Sequence, residues 1–277
     1  MRVVPRAIVP VGRVLFFYSI VLSTGKRHRR RKRKRGRMNQ FLADIQYNLI
    51  ADHRWHYLID GLQTTLLVTV FSVIIGITFG FLLALIRSAH RDLQPKWNTP
   101  TGFLFNLANK IASIFITIIR GTPSMIQLLM MFNIFLAAVD NLPLVCILTF
   151  GLNSSAYVSE IFRAGLQSVP AGQVEAARSL GLSYAETLRK VVMPQAFKLS
   201  LPPLGNEVIT LFKETSISGT IGLIDVTRGA SIIITKTFQA SIPYFAAALI
   251  YLFFVLLLER LFNTLEKRTM YAYHSES

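Results

Sequence analysis

Glu160 and Arg163 stand three residues apart where an uncharged stretch, residues 141–159, gives way to polar chain. On a helix that spacing puts carboxylate and guanidinium on one face, where they can pair. A second concentration of chemistry lies at Asn206, Glu207, Lys213, Glu214, Thr215 and Ser216, again within an otherwise apolar stretch. Asn206 and Lys213 are seven residues apart, which keeps them on one helical face with an offset of about 20°. Ionisable groups in such surroundings are costly unless they pair or face a cavity. These residues can therefore line a path for a polar solute or hold helices together. Arg120 interrupts a third apolar stretch. Other chemistries have no carrier. The only Gly-Lys pair is Gly25-Lys26, with Ile20 where a P-loop needs its first glycine. No HExxH, no Cys/His metal spacing and no nucleophile elbow occurs. We expect no catalytic residue and no metal ligand in this chain.

The elements that must carry these groups are membrane spans. The chain has 277 residues, 52% of them hydrophobic. Uncharged runs cover residues 61–86, 121–139, 141–159 and 237–258, and two interrupted apolar runs cover 103–119 and 199–224. A helix needs about 20 apolar residues to cross a bilayer. The expectation is an all-α integral membrane protein with five spans, or six. The spans fall near 62–86, 122–139, 142–159, 199–224 and 242–262. Arg120 marks the start of the second span, with 103–119 an interfacial helix, or else 103–139 is one long broken helix; the sequence leaves both open. Pro202 and Pro203 suggest that the fourth span starts or bends there. Gly76 and Gly80 form a GxxxG pair suited to close helix packing. The lone Cys146 reads as a small core hydrophobe.

Charge divides the chain unevenly. Residues 1–37 hold 13 of the 30 Lys/Arg and no acid, leaving 17 Lys/Arg against 14 Asp/Glu in the remainder. The run KRHRRRKRKRGR at 26–37 suits an anionic lipid or nucleic-acid patch, or a disordered tail. It also suits a purine-rich ribosome-binding site read in frame, with translation starting at Met38, and this is the reading we expect. Residues 14–22 are too short to span and carry their positive flank on the wrong side for a secretory signal. With alternating spans, ten basic residues, among them Arg87, Lys96, Arg178 and Lys267, fall on one side. Arg54, Arg228 and Lys236 fall on the other. The positive-inside rule puts the ten in the cytoplasm. The C-terminus is then cytoplasmic and the N-terminus outside.

Between spans lies an unusually well-punctuated loop, residues 170–194, PAGQVEAARSLGLSYAETLRKVVMP. Pro170 suits a first helical turn, and Gly181 is a natural C-terminal stop. Ser183 and Glu186 form a capping box for a second helix, which should end before Pro194. Ala176 and Ala177 give the first helix a smooth face that another surface can approach. Such a structured loop at the membrane surface suggests docking of a soluble partner. With no P-loop here, this chain would not bind ATP by that route.

The spacing Glu175-Ala176-Ala177, then Gly181, then Val191, Met193 and Pro194 resembles the EAA motif of ABC importer permeases, with Val191 and Met193 in place of Ile and Leu. Several further clusters follow in order: Arg120-Gly121-Thr122-Pro123 with Gln127, Ala156-Tyr157 with Glu160 and Arg163, Pro202-Pro203-Leu204-Gly205-Asn206, and Lys213-Glu214-Thr215-Ser216. Together they are similar to the polar amino-acid uptake subfamily, the histidine/glutamine permease type, over residues 61–268. A short connection at residues 140–142 departs from the longer outer loop often found there.

The resemblance implies a type I ABC importer transmembrane domain with a cytoplasmic coupling-helix hairpin, in a bacterial plasma membrane. It implies ATPase coupling through Glu175, Ala176, Ala177, Gly181 and Pro194. The substrate-path candidates are Arg120, Thr122, Gln127, Glu160, Arg163, Asn206, Lys213, Thr215 and Ser216. It implies a homo- or heterodimer of permease subunits, two ATP-binding cassette subunits that bind ATP and Mg, and an extracellular amino-acid-binding protein. This chain would bind no cofactor, and its surroundings would be membrane lipid. The domains are then residues 1–37 (basic extension), 38–57 (N-terminal segment), 58–266 (permease domain) and 267–277 (cytoplasmic tail). The rivals are a secondary transporter, which leaves the hairpin unexplained, an intramembrane enzyme, for which no catalytic set is visible, and a membrane-anchored nucleic-acid binder through the basic run. A nucleic-acid partner is not expected.

Overall fold

The computed structural model describes residues 38–95 and 98–274, and these are helices and short connections with no strand among them. The basic run, residues 14–22 and Lys96 lie outside the described residues. The chain divides into two units at Arg54. In the first, residues 38–45 are helical and lead into a π turn, Gln46–Ile50, and a 3-10 turn, Ala51–His53. Arg54 closes that unit by donating to the Tyr47 carbonyl and the Asp52 carboxylate.

The second unit begins with α1, His56–Leu93, whose 38 residues extend to about 57 Å, more than a hydrocarbon core of about 30 Å requires. Its buried face carries a ridge of small residues three or four apart: Gly61, Thr65, Thr69, Ser72, Gly76, Gly80, Ala84 and Ser88. Its other face leaves Leu67, Val70, Phe71 and Ile74 exposed, as a lipid-facing surface should. From Ser72 onward the ridge packs on α4, Leu142–Gln167, whereas Gly61 meets the Asp225 backbone. A Cβ on Gly76 would lie 2.8 Å from the Ser154 hydroxyl, and one on Gly80 would lie 2.7 Å from the Ser155 carbonyl. The GxxxG pair thus brings two backbones together where lipid gives no hydrophobic drive for association.

Residue numbers rise together along this seam. Ser72 donates to the Ile147 carbonyl at 3.1 Å, Gly76 meets Ser154, and Arg87 meets Glu160. α1 and α4 are therefore parallel, and a single return crossing must join them. That crossing is built in two pieces, α2 (Pro100–Gly121) and α3 (Ser124–Met130), the latter continued by a π turn, Met131–Phe135. Arg120 lies near Glu160 and Gln127 bonds Asn153, so the crossing runs antiparallel to α4. The second span expected at 122–139 is corrected accordingly. Residues Ser124–Phe135 reach only about 18 Å and complete a crossing that α2 begins. Among the described residues the count reaches five crossings rather than six, because the break at Thr122 and Pro123 divides one span.

After α4 come α5 (Ala171–Ser179) and α6 (Tyr184–Thr187), then a π turn, Leu188–Val192, leading directly into α7, Met193–Glu214. The expectation that the second hairpin helix ends before Pro194 is wrong. Proline ends a helix by withholding one N–H and crowding the preceding turn. Here Pro194 follows a widened π turn and occupies the first turn of α7. Nor does the helix start at Pro202 and Pro203, since both sit inside α7. α7 is antiparallel to α4, with Gly165 against Ser200 and Ser154 bonded to Glu207. A 3-10 turn, Thr215–Ile221, leads to α8, Val226–Thr237, capped by Asp225, whose side chain accepts from the Arg228 N–H at 2.5 Å. α9, Ser241–His274, returns beside α7, with Tyr251 on Phe212 and Phe262 against Gly205.

The core sits where α1, α3 and α4 meet the end of α7. Val68, Leu128, Val145, Cys146, Phe150 and Leu211 are buried there together. Cys146 is free and packs as the expected small hydrophobe. Directions alternate over the five crossings. The α5–α6 hairpin and the end of α9 thus share one side, opposite the start of α1.

Candidate functional site: the α5–α6 hairpin and the Glu160 cluster

The hairpin is built from local signals. α5 starts after Pro170 and ends in a Schellman motif, with Leu182 N–H on the Ala177 carbonyl at 3.2 Å and Gly181 N–H on the Arg178 carbonyl at 3.0 Å. Gly181 has φ 85°, a left-handed conformation that favours glycine. Two residues later Ser183 and Glu186 form the full capping box, each side chain serving the other's backbone N–H. These bonds hold the Glu186 carboxyl down at about 2, through the Ser183 backbone first and then its hydroxyl and Lys190.

The hairpin is pinned from below by Leu166, Val169, Val192 and Ala196, with Val174 and Leu188 packed against them. Ala177 is buried, whereas Glu175 and Ala176 are exposed. The smooth face expected of both alanines is therefore split: Ala176 is presented outward and Ala177 seats the helix. Leu180 projects from the helix end with 85% exposure, an apolar knob that sequence reasoning passed over. Tyr184 donates to Asp92 at the end of α1 at 3.1 Å. Burial, and then the Asp92 charge, push its phenol up to about 12. A cavity of about 580 Å³ separates the hairpin from α1, lined in part by Ser88, Asp92, Glu175 and Thr187.

Within the membrane-crossing part, Glu160 is the hub. It is joined by Arg163 from its own helix at 2.9 and 2.5 Å, by Arg87 from α1, and by Arg120 from α2 at 3.9 Å. The i, i+3 pairing of Glu160 and Arg163 is present, and Arg87 is an addition that no local spacing announces. Arg120 also lies over the Tyr157 ring, 5.6 Å from its centre.

Thr122 and Gln127 repair the break in the return crossing. Pro123 offers no N–H, so the Ile119 carbonyl loses its helical donor. Gln127 Nε2 donates to that carbonyl at 2.8 Å and approaches the Thr122 hydroxyl at 2.7 Å. Its Oε1 accepts from Asn153 at 2.8 Å. On α7, Asn206, Thr210 and Lys213 are exposed in one stripe, as the seven-residue spacing requires. Ser216 and Lys213 line a cavity of about 310 Å³ with Thr227, Tyr244 and Tyr251. Thr215 stands apart from that stripe, fully buried, its hydroxyl donated to the Phe212 carbonyl at 2.7 Å. Glu207 accepts from Ser154 at 2.7 Å.

Five alternating crossings among the described residues, a capped hairpin on one side and polar groups between the helices describe a multi-pass membrane protein. Residues 100–271 match the profile described as the binding-protein-dependent transport system inner membrane component. The chain belongs to that family and is a permease subunit of an ABC importer of the plasma membrane. It is 35% identical over 228 residues to the L-cystine transport system permease protein TcyB of Bacillus subtilis (strain 168), covering 81% of this chain and 91% of that protein. It is 34% identical over 215 residues to the glutamine transport system permease protein GlnP of Escherichia coli (strain K12), covering 76% and 92%. Among solved structures, it resembles the crystal structure of an amino acid ABC transporter with histidines at a TM-score of 0.69 and 37% identity, covering 82% of this chain and 98% of that one. The inward-facing MetNI methionine ABC transporter, at 18% identity and a TM-score of 0.65, shares the fold, over 78% and 97% of the two chains.

Proposed function

We propose that this chain forms the translocation path of an ATP-driven importer for polar amino acids. The observation that carries the proposal is the hairpin: Glu175, Ala176 and Leu180 exposed on a doubly capped element that continues without interruption into α7. A partner ATPase docks on that face in the cytoplasm. ATP and Mg bind to the partner, and closure of the partner is delivered to α7. Two permease subunits, identical or paralogous, enclose the path, and an extracellular binding protein delivers the solute on the opposite side. The exposed stripe of Asn206 and Lys213 faces that path, while Thr122 and Gln127 hold its broken crossing in shape. ATP shifts the population between inward- and outward-facing states. The substrate class rests on relatives named for L-cystine and glutamine and on the transporter crystallised with histidines.

The test is reconstitution with candidate ATPase and binding-protein partners, measuring uptake of labelled polar amino acids. Uptake that requires ATP and both partners supports the proposal. Uptake without an ATPase, or failure of any ATPase subunit to co-purify through the hairpin, overturns it.

A further inference from the structure

Three guanidiniums converge on one carboxylate between α1, α2 and α4, and the balance does not close. Arg87, Arg120 and Arg163 all pair with Glu160, and no other carboxylate pairs with them among the described residues. The cluster retains two positive charges among helices that each pass as membrane spans. Surplus charge at such a place is costly unless a counter-charge or water answers it. Glu160 is 19% exposed and spends both oxygens on Arg87 and Arg163, whereas Arg120 is 45% exposed and only 3.9 Å from it. Arg120 thus keeps most of its donor fork free. Beside it opens a cavity of about 550 Å³, lined by Arg87, Ser113, Thr117, Arg120, Tyr157 and Glu160. Gly121 at its rim leaves the approach open, since a Cβ there would meet nothing within 4 Å. Ile114 and Ile118, one position on from Ser113 and Thr117 on α2, are exposed.

We propose that this cavity is an oxyanion site: Arg120 and Arg87 hold a phosphate or carboxylate group, Ser113 adds a hydroxyl donor, and the bound anion neutralises the surplus charge. Planar guanidiniums with free N–H groups are suited to two-point recognition of such a group. The same chemistry has two sources here. One is the phosphate of an anionic lipid whose chains lie along Ile114 and Ile118. The other is the α-carboxylate of the solute in transit, and this alternative alone rests on the amino-acid importer reading.

The experiment uses the assembled transporter in nanodiscs and reads Tm. One arm titrates phosphatidylglycerol into phosphatidylcholine discs. The other keeps phosphatidylcholine discs and adds a transported amino acid or its carboxamide. Wild type is compared with Arg120→Gln and with Arg260→Gln, which removes an exposed charge elsewhere on α9. The expected result is a saturable rise in Tm in one arm, unchanged in Arg260→Gln and weakened about tenfold in apparent affinity in Arg120→Gln. A response to phosphatidylglycerol assigns the lipid; a response to the amino acid but not its carboxamide assigns the solute. No rise in either arm, or equal rises in Arg120→Gln and wild type, overturns the site. Uptake measured on the same samples keeps failure of this site separate from failure of the importer reading.

Discussion

Arg87 donates to Glu160 across 73 residues of sequence, tying α1 to α4 at the end of a seam otherwise made of glycine, alanine and serine. Removing the carboxylate leaves three guanidiniums facing one another. Glu160→Gln should destabilise the chain by about 3 kcal/mol, at the low end for breaking a buried pair because the site is partly open. Arg163→Gln, which removes a more exposed partner, should cost about 1 kcal/mol or less. Thermal unfolding in detergent compares the two, and equal effects would contradict the hub geometry.

Along the same seam, the glycines set how close the helices come. Gly80→Ala places a methyl 2.7 Å from the Ser155 carbonyl and the Val158 side chain. It should cost about 1–3 kcal/mol as α1 is pushed from α4. Gly172→Ala enters open space in α5 and should be neutral or stabilise by up to about 1 kcal/mol. The opposite ranking in unfolding experiments would refute the packing described for α1 and α4.

Glu175→Lys reverses a charge on the exposed face of α5 while leaving Ala177 and Gly181 to hold the hairpin. Insertion and folding should be unaffected. ATP-dependent uptake should fall about tenfold or more, as expected when a charge at a docking surface is reversed, with ATP hydrolysis no longer tied to transport. Uptake at the wild-type rate would remove Glu175 from the coupling face.

The capping box gives the hairpin a pH dependence. The Glu186 carboxyl lies at about 2 when folded, below its ordinary value of about 4.3. A depressed carboxyl contributes stability above its unfolded value and loses it as pH falls through the folded one. Protection of the Ser183 and Glu186 amides from hydrogen exchange should therefore hold at pH 7 and decline between about pH 4.3 and 2. Ser183→Ala should lose about 1 kcal/mol of the cap at neutral pH. Protection insensitive to pH in that window would mean that the carboxylate does not support the cap.

What could be read from sequence was local. Gly181, Ser183 and Glu186 act within four residues of themselves, so type and spacing gave both ends of the hairpin turn. The Gly76/Gly80 pair and the Asn206/Lys213 stripe were legible for the same reason, because helical period alone sets their faces. Arg87 was counted only as a loop charge, because its partner lies on a helix that sequence cannot place beside it. Pro194 misled as a helix end, and Pro202 and Pro203 as a helix start, because a proline rule speaks only of one missing N–H. The π turn before Pro194 and the neighbouring helices around α7 decide whether the chain continues. The side of α5 to which Ala177 turns depends on Val174 and Val192 beneath the hairpin, a tertiary fact.

The unbroken passage from Tyr184 to Glu214 also sets a mechanical scale. About 31 residues of helix make a rod of about 46 Å, with the hairpin at one end and Lys213 at the other. A rigid tilt of about 10° about the Tyr184 end would sweep Lys213 through roughly 8 Å, wider than a single helix turn. A small rotation of the hairpin is therefore amplified toward the Lys213 end, because the helix continues through the widened turn at Leu188–Val192.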